Sequence, residues 1–431
     1  MKEKIQRFAG KISNQRHLLA VRDGLASSMP LILIGSIFLM IGNIPFTPYT
    51  DWLKSMGISE FINKAANSTF GLIGLGATFA TTYHLSKYYK KDALSAGIIA
   101  LASYVLVSPI VTADAGDAFL TQYFGSAGLF VGIIVALVTA ELFRFFVDKN
   151  LQIRMPDSVP PNVAKSFAAF VPGLLTILFW LVVFILFTTL KVTDIHKLIS
   201  NTMGVPLSYL TGNLFGIIVV ILLQCFFWVF GIHGAQVTGP IIEPLLLQAS
   251  DANRLAMQAG LEVPNIITYE FLYNFVFTGG AGSVFALALL VFFFSKSKQN
   301  KALGKLSIAP LCFQIAEPIL FGLPTILNPK MVIPFVLAPV TSAIITYYGM
   351  AWGLVAKPAG IVIPWTTPPI LAGFLATGGH ISGALVSIVT IAVNALIYYP
   401  FFKRMDNETY EEELAIEAKE VLNKGGVIHN G

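Results

Sequence analysis

Charge is what this chain of 431 residues has least of: Asp, Glu, Lys and Arg make up 12% of it, against about 25% in a soluble globular domain. Between Ala309 and Phe402 the only formally charged residues are Glu317, Lys330 and Lys357, too few to clothe a surface in water. That scarcity excludes an ordinary soluble enzyme or binding domain. Cysteine is nearly missing as well. Cys225 and Cys312 lie far apart in apolar surroundings with no CxxC pairing, which excludes a disulfide framework or zinc site and reads as two buried, inert thiols. There is no Walker phosphate loop, no His, Cys or carboxylate cluster with metal-ligand spacing, and no row of spaced arginines. ATP hydrolysis by that loop, a metal centre and a voltage sensor are therefore set aside, and no cofactor is called for. The basic, amphipathic N-terminus lacks the short apolar core and small-residue cleavage site of a signal peptide.

Apolar side chains are what the chain does have, at 55% of residues. At about 20 apolar residues per helical crossing, roughly nine to eleven crossings fit. The expected architecture is an all-α polytopic membrane protein with about ten transmembrane helices, re-entrant hairpins and amphipathic interfacial helices. Apolar runs fall at 25–45, 68–86, 92–113, 126–147, 166–190, 213–230, 266–294, 330–350 and 381–402. Three stretches are broken by Pro and Gly: Gly231–Pro244, Pro310–Pro329 and Lys357–Pro369. Broken backbone cannot face lipid, so each must line an enclosed cavity or form a re-entrant loop.

The net charge of +5 sits in short loops between apolar runs, where it reports topology rather than nucleic-acid binding. Lys2, Lys4, Arg7, Lys11, Arg16 and Arg22 place the N-terminus in the cytoplasm, with Lys87, Lys90 and Lys91 and then Arg144, Lys149, Arg154 and Lys165 on the same side. The intervening loop 113–125 has Asp114 and Asp117 but no Lys or Arg, as an outside loop should. Placing Lys296, Lys298, Lys301 and Lys305 inside requires a tenth crossing within 231–264, to which Val237–Leu247 would contribute. Both termini are then cytoplasmic.

The expected domains are a cytoplasmic amphipathic segment (1–24), an N-terminal transmembrane domain (25–190), an interfacial amphipathic linker helix (191–212), a C-terminal transport domain (213–402) and an acidic cytoplasmic tail (403–431). Function should sit in 213–402, which is rich in Pro, Gly and isolated polar residues. Glu317 stands in QIAEPILFGLPTILNP with no other charge nearby. An ionised carboxylate at membrane depth costs about 2.5–3.5 kcal/mol, so it should face a polar cavity and serve function; the plainer alternative is an interfacial ion pair. His233 lies between Gly231 and Gly234, where a ligand or another backbone can approach, and it can exchange hydrogen bonds with a hydroxyl or simply be a satisfied core group. Asn213, Gln224, Gln236, Asn274, Asn328 and Asn394 add amides that suit sugar hydroxyls but also tie helices together. Trp228 and Trp365 offer faces for a sugar ring or act as interfacial anchors, and Glu243 and Glu270 stand undecided between site and structure. One acid, one His, several amides and an aromatic suit a neutral polyhydroxylated solute.

QRHLLAVRDG at 15–24, MPDSVPPNVAKSF at 155–167, GIHG at 231–234 and EPILFGLPTILNP at 317–329 together resemble enzyme IIC, the membrane component of bacterial sugar phosphotransferase systems, in its lactose/cellobiose/diacetylchitobiose branch. The resemblance extends over essentially the whole chain. It implies a bacterial plasma-membrane permease that is a homodimer, its N-terminal spans forming the dimer interface and its C-terminal half holding the sugar as a body that moves. It implies import of a β-linked disaccharide, cellobiose ahead of diacetylchitobiose and lactose, with phosphorylation at C6. The family's cavity acid and histidine fall on Glu317 and His233 as catalytic and sugar-binding residues, and an aromatic sugar contact on Trp365. Trp228, Asn213 and Asn274 complete the candidate substrate contacts. The phosphoryl donor in the family is a cysteine of enzyme IIB, charged through enzyme IIA, HPr and enzyme I. The tail after Arg404 has no cysteine, so the donor is expected on a separate chain, docking at basic loops such as 296–305. An ion-coupled secondary sugar transporter with Glu317 as a proton site, and a membrane-embedded sugar sensor, are the competing readings.

Overall fold

The computed structural model describes residues 11, 14–44, 46–114, 116–156, 158–192, 194–323, 325 and 328–426. Lys2, Lys4, Arg7, parts of two motif segments (Asp157, and 324, 326 and 327) and the end of the tail at 427–431 lie outside them. In chain order the helices are α1 (Arg16–Gly42), α2 (Thr47–Ser55), α3 (Ile58–Phe70), α4 (Ile73–Tyr88), α5 (Ala93–Val107), α6 (Leu129–Asp148), α7 (Pro161–Thr189), α8 (Leu214–Val229) and α9 (Gly234–Gln258). After a π-helical turn, Phe271–Val276, follow α10 (Phe285–Phe294), α11 (Lys298–Cys312), α12 (Glu317–Gly322), α13 (Pro329–Ala351), α14 (Pro369–Ala376) and α15 (Ile381–Gly426). Each apolar run read from the sequence contains a helix. Between α5 and α6 stands an antiparallel hairpin, Ile110–Ala113 with Gly116–Phe119.

By length and composition, Arg16–Gly42, Ser126–Asp148, Val163–Thr189, Lys330–Ala351 and Ile381–Lys419 are able to cross a bilayer. The pair Phe271–Ser283 and Phe285–Phe294, bent by 56°, would make one more as a broken span, and α5 and α8 are apolar but shorter. Where a tenth crossing was expected, α9 does form, but it carries Glu243, Asp251 and Arg254 and is not among these apolar helices. It runs unbroken through Pro240 and Pro244, so Gly231–Pro244 is broken only at its start.

The chain divides into two compact units: Met1–Asn213 with Ala235–Glu262, and Leu214–Gly234 with Val263–Gly431. Residues 235–262 thus cluster with the N-terminal helices rather than with the rest of 213–402. In the first unit α4 packs on α1, α5 and α6. At Gly24 a Cβ would come within 2.1 Å of Thr81 Oγ1, so α1 and α4 touch through glycine, as membrane helices often do. Gln15 caps α1 by accepting the Leu18 N–H at 2.7 Å, and His17 reaches Glu141 on α6 at 2.8 Å. Helix α7 shows two faces. Trp180 is buried and donates its indole N–H to Thr139 Oγ1 at 2.9 Å, whereas Val163, Phe167, Phe170, Leu174, Leu178, Val182 and Ile185 form an exposed apolar stripe at helical spacing, as a lipid-facing surface requires.

The expected linker helix is a run of short pieces, Ile195–Ile199, Ser200–Gly204 and Val205–Ser208. His196 is buried there, stacked on Tyr123 at 4.2 Å and edge-on to Tyr104 at 5.5 Å, with Ser108 Oγ 3.2 Å from its Nε2. Burial lowers its pKa to about 4, against the weaker pull of Asp194. Polar side chains also fix α9. Arg254 bonds Asp251 (2.6 Å), Asn67 (2.5 Å) and Gln258 (2.8 Å) and lies over the Phe70 ring, while Ser126 donates to Asp251 at 2.5 Å.

In the second unit α13 packs on α15 and α8, and α10 on α11 and α15. Helix α15 has 46 residues. At 1.5 Å per residue it is about 69 Å long, twice what a hydrocarbon core of about 30 Å needs. Its apolar part ends at Phe402, and the charged remainder lies beyond the span. That remainder folds back onto the lysine segment. Asp406 accepts the Lys296 N–H (2.6 Å) and the Asn300 amide (2.9 Å), and Glu413 accepts the N–H groups of Lys298 (2.9 Å) and Gln299 (2.8 Å) and the Ser297 hydroxyl (2.7 Å). A carboxylate against the first N–H groups of α11 is favourable. Lys298 pairs with Glu417 at 2.6 Å and Lys330 with Glu408 at 2.7 Å. Part of the basic loop read as a docking surface is therefore engaged by the chain's own acidic segment.

Candidate functional site

Helix α8 ends at the GIHG segment for a local reason. The Ile232 N–H returns to the Phe227 carbonyl (3.0 Å) and the Gly231 N–H to the Trp228 carbonyl (2.8 Å), with Gly231 at φ +79°. This is a Schellman stop, whose left-handed residue glycine adopts without strain. The chain leaves it abruptly, so His233 is exposed immediately beyond an apolar helix. Its ring lies 4.6 Å from that of Trp228, tilted by 50°. At Gly234 an added Cβ would stand 2.2 Å from the Gln224 carbonyl oxygen, so the second glycine permits the backbone approach expected of it.

Glu317 opens α12, a six-residue helix, and its side chain is exposed, as a cavity carboxylate must be. The break before it is another Schellman stop. Ile315 N–H bonds the Pro310 carbonyl (3.1 Å) and Gln314 N–H the Leu311 carbonyl (2.9 Å), but the left-handed position is held by Gln314 at φ +61°. A non-glycine residue there is strained by about 1–2 kcal/mol. Among the described residues the other non-glycine positive-φ positions are Lys90, Asn150 and Lys191, all exposed, and the buried Ser283.

Gln314 is only 4% exposed, and its side chain has a distinct task. Its Oε1 accepts the Gly279 N–H at 3.0 Å, and its Nε2 donates to the Thr367 carbonyl at 2.9 Å. Gly279 follows the π-helical turn that contains Asn274; Thr367 is two residues beyond Trp365, in a stretch without helix. One amide therefore joins the three interrupted segments that bear Asn274, Glu317 and Trp365. Asn274 is 0% exposed, and neither its amide nitrogen nor its amide oxygen has a hydrogen-bond partner, whereas Trp365 is 52% exposed. An unmade buried amide is costly, and a hydroxyl would complete it.

The remaining candidates are placed differently. Trp228 is buried on α8. Asn213 closes the first unit, its amide donating to the Tyr209 carbonyl at 2.9 Å, so it is engaged locally. Asn394 donates to Ser342 at 2.9 Å, tying α15 to α13. Glu270 is fully buried beside the π-helical turn. Cys225 is buried, but Cys312 is only partly covered, contrary to the pair of buried thiols expected; it sits at the open end of α11. Lys357 reaches the Val263 carbonyl at 3.1 Å and helps hold the loop that leads to Trp365. Sequence reasoning passed over Gln314, although it is the first residue of the segment quoted for Glu317. The available signal was an amide where a helix stop normally takes glycine.

The family model for the phosphotransferase system EIIC matches residues 22–339. The lichenan permease IIC component of Bacillus subtilis (strain 168) is 43% identical over 97% of this chain and 95% of its own length. The cellobiose-specific EIIC component of Geobacillus stearothermophilus is 40% identical over 96% of this chain and 95% of its own. Among solved structures, the crystal structure of the transporter ChbC, the IIC component of an N,N'-diacetylchitobiose-specific phosphotransferase system, superposes with a TM-score of 0.91 at 38% identity, covering 96% of this chain and 98% of that one.

Proposed function

The chain belongs to the phosphotransferase-system EIIC family, and from that premise we propose that it imports a β-linked disaccharide and releases it phosphorylated on its C6 hydroxyl. Cellobiose is the first choice, with diacetylchitobiose and lactose next. The observation that carries the reading is the meeting at Gln314 of the three interrupted segments bearing Asn274, Glu317 and Trp365. Interrupted backbone is tolerated at membrane depth only where it lines a protein-enclosed cavity. A buried amide, an exposed carboxylate and an exposed indole are the groups a neutral sugar needs. The β-linked class is supported by relatives named for lichenan, cellobiose and diacetylchitobiose.

In this reading Glu317 accepts the C6 hydroxyl's hydrogen bond and takes its proton as the oxygen attacks phosphorus. A base must lie within about 2.6–3.2 Å of that oxygen, or one water away. His233 holds a neighbouring hydroxyl or shares the polarising role, Trp365 and Trp228 supply ring faces, and Asn274 bonds a hydroxyl. The phosphoryl group comes from a phosphocysteine of a partner enzyme IIB, recharged through enzyme IIA, HPr and enzyme I. The sulfur–phosphorus bond breaks as the oxygen–phosphorus bond forms, and the proton rests on Glu317. The protein works as a homodimer in the bacterial plasma membrane with both termini cytoplasmic.

The test is uptake of labelled cellobiose into vesicles holding the soluble phosphotransferase proteins and phosphoenolpyruvate. Internal cellobiose 6-phosphate that accumulates despite a protonophore is the expected result. Unmodified cellobiose that needs a proton gradient would replace the proposal with ion-coupled transport, and saturable binding without flux of any β-linked disaccharide would replace it with a sensor.

A further inference from the structure

We infer that Gln314 is a positioning residue: its amide sets the Glu317 hairpin against the Trp365 loop and the Gly279 turn, so that carboxylate and indole address one sugar. The inference rests on the function proposed above. Three observations carry it. First, Gln314 occupies a left-handed helix stop, φ +61°, where glycine would be unstrained. Strain of this kind persists where the surroundings hold it, and here two side-chain hydrogen bonds do so.

Second, the bonds are directional. The oxygen faces an N–H and the nitrogen faces a carbonyl, so the two ends of the amide cannot be exchanged. A carboxylate keeps the Gly279 bond but sets an oxygen against the Thr367 carbonyl; once protonated, it regains a donor. Third, both receiving groups are backbone atoms in segments whose helical hydrogen bonding is interrupted. The side chain therefore acts on the site through those segments and need not touch sugar.

These features separate positioning from a merely structural role. Gln314→Gly relieves the backbone and keeps the helix stop, so a purely structural residue would tolerate it. We expect Gln314→Gly to unfold within a few degrees of wild type, because relief of the backbone strain offsets part of the two lost hydrogen bonds, yet to lose about 100-fold in cellobiose phosphorylation, the scale of an ångström's misplacement of reacting groups. Gln314→Glu should regain activity relative to wild type as the assay pH is lowered, because protonation restores the donor to Thr367. Wild-type phosphorylation by Gln314→Gly, or a Gln314→Glu pH profile parallel to that of wild type, would overturn the inference.

A readout independent of sugar keeps the two hypotheses apart. Cys312 lies two residues before Gln314 and is partly accessible, while Cys225 is buried. Maleimide labelling of Cys312 should quicken about tenfold in Gln314→Ala as the hairpin loosens, and unchanged labelling would refute the clasp itself. Wild-type protein that phosphorylates no β-linked disaccharide, combined with quickened labelling, would sink the proposed function and leave the clasp standing.

Discussion

Replacing Tyr398 with Phe tests how the second unit tolerates a broken helix. Tyr398 on α15 is fully buried, and its hydroxyl donates to the Gly282 carbonyl at 2.7 Å. Gly282 lies at φ +75° in the bend between Phe271–Ser283 and Phe285–Phe294, where regular helical pairing lapses. The substitution removes one oxygen, opens no sizeable cavity and leaves a buried carbonyl without this donor. That desolvation penalty is about 1–3 kcal/mol, roughly a 5- to 150-fold shift in the unfolding equilibrium. Tyr399→Phe is the control: it is exposed, and a phenylalanine ring still lies under Lys403. Its effect should stay within about 0.5 kcal/mol. Purified protein in detergent would be heated with a thiol-reactive fluorophore, with the buried Cys225 reporting unfolding. Tyr398→Phe should unfold several degrees below Tyr399→Phe. Equal midpoints would refute the claim that this bend depends on a side-chain donor.

Glu317→Gln should abolish phosphorylation while sparing most sugar affinity, since an amide still bonds hydroxyls but takes no proton; a parallel loss of both, by phosphorylation assay and calorimetry, would make it a binding residue only. His233→Ala should weaken cellobiose binding itself, and calorimetry showing wild-type affinity would remove it from the site. His196, with its folded pKa lowered to about 4 by burial, contributes stability that is complete above its free value of about 6.5 and is lost as pH falls towards 4. Melting temperature should fall across that window and the slope should be shallower in His196→Phe; an identical slope in the variant would assign it elsewhere. At Glu413 the Gln299 N–H, then the Ser297 hydroxyl and Lys298 N–H, hold the carboxyl below its ordinary range. Its contribution is therefore present above that range and lost as acid titrates it, so amide exchange at 296–300 should quicken at low pH and in Glu413→Gln at neutral pH, and unaltered exchange would count against the cap.

Apolar runs were the most legible feature, because a bilayer admits little but long apolar helices, and a helix stands in each run. Glu317 and Trp365 were also legible, as a charge and an indole in broken apolar sequence are conspicuous alone. What escaped notice depends on tertiary partners. Asp251 and Arg254 of α9 carry no signal of their own in the sequence, because their partners Ser126 and Asn67 lie more than a hundred residues earlier. Lys298 looked free because its carboxylate partners, Glu413 and Glu417, lie more than a hundred residues later. Gln314 is ordinary by composition, and only its φ and its two backbone partners distinguish it.

The division of the chain also bears on how the protein is made. The first unit needs residues 235–262, and the second begins at Leu214. A ribosome must therefore deliver α8 to the membrane before Arg254 exists to meet Asn67 and Asp251. The first unit is complete only once residue 262 has emerged, when α8 of the second has already been made. A gene split at 213/214 would give one fragment short of α9 and another burdened with it. A split after 262 would instead leave α8 stranded with the first fragment. The order of synthesis is thus interleaved, and the insertion machinery must hold an unfinished first unit while the second has begun.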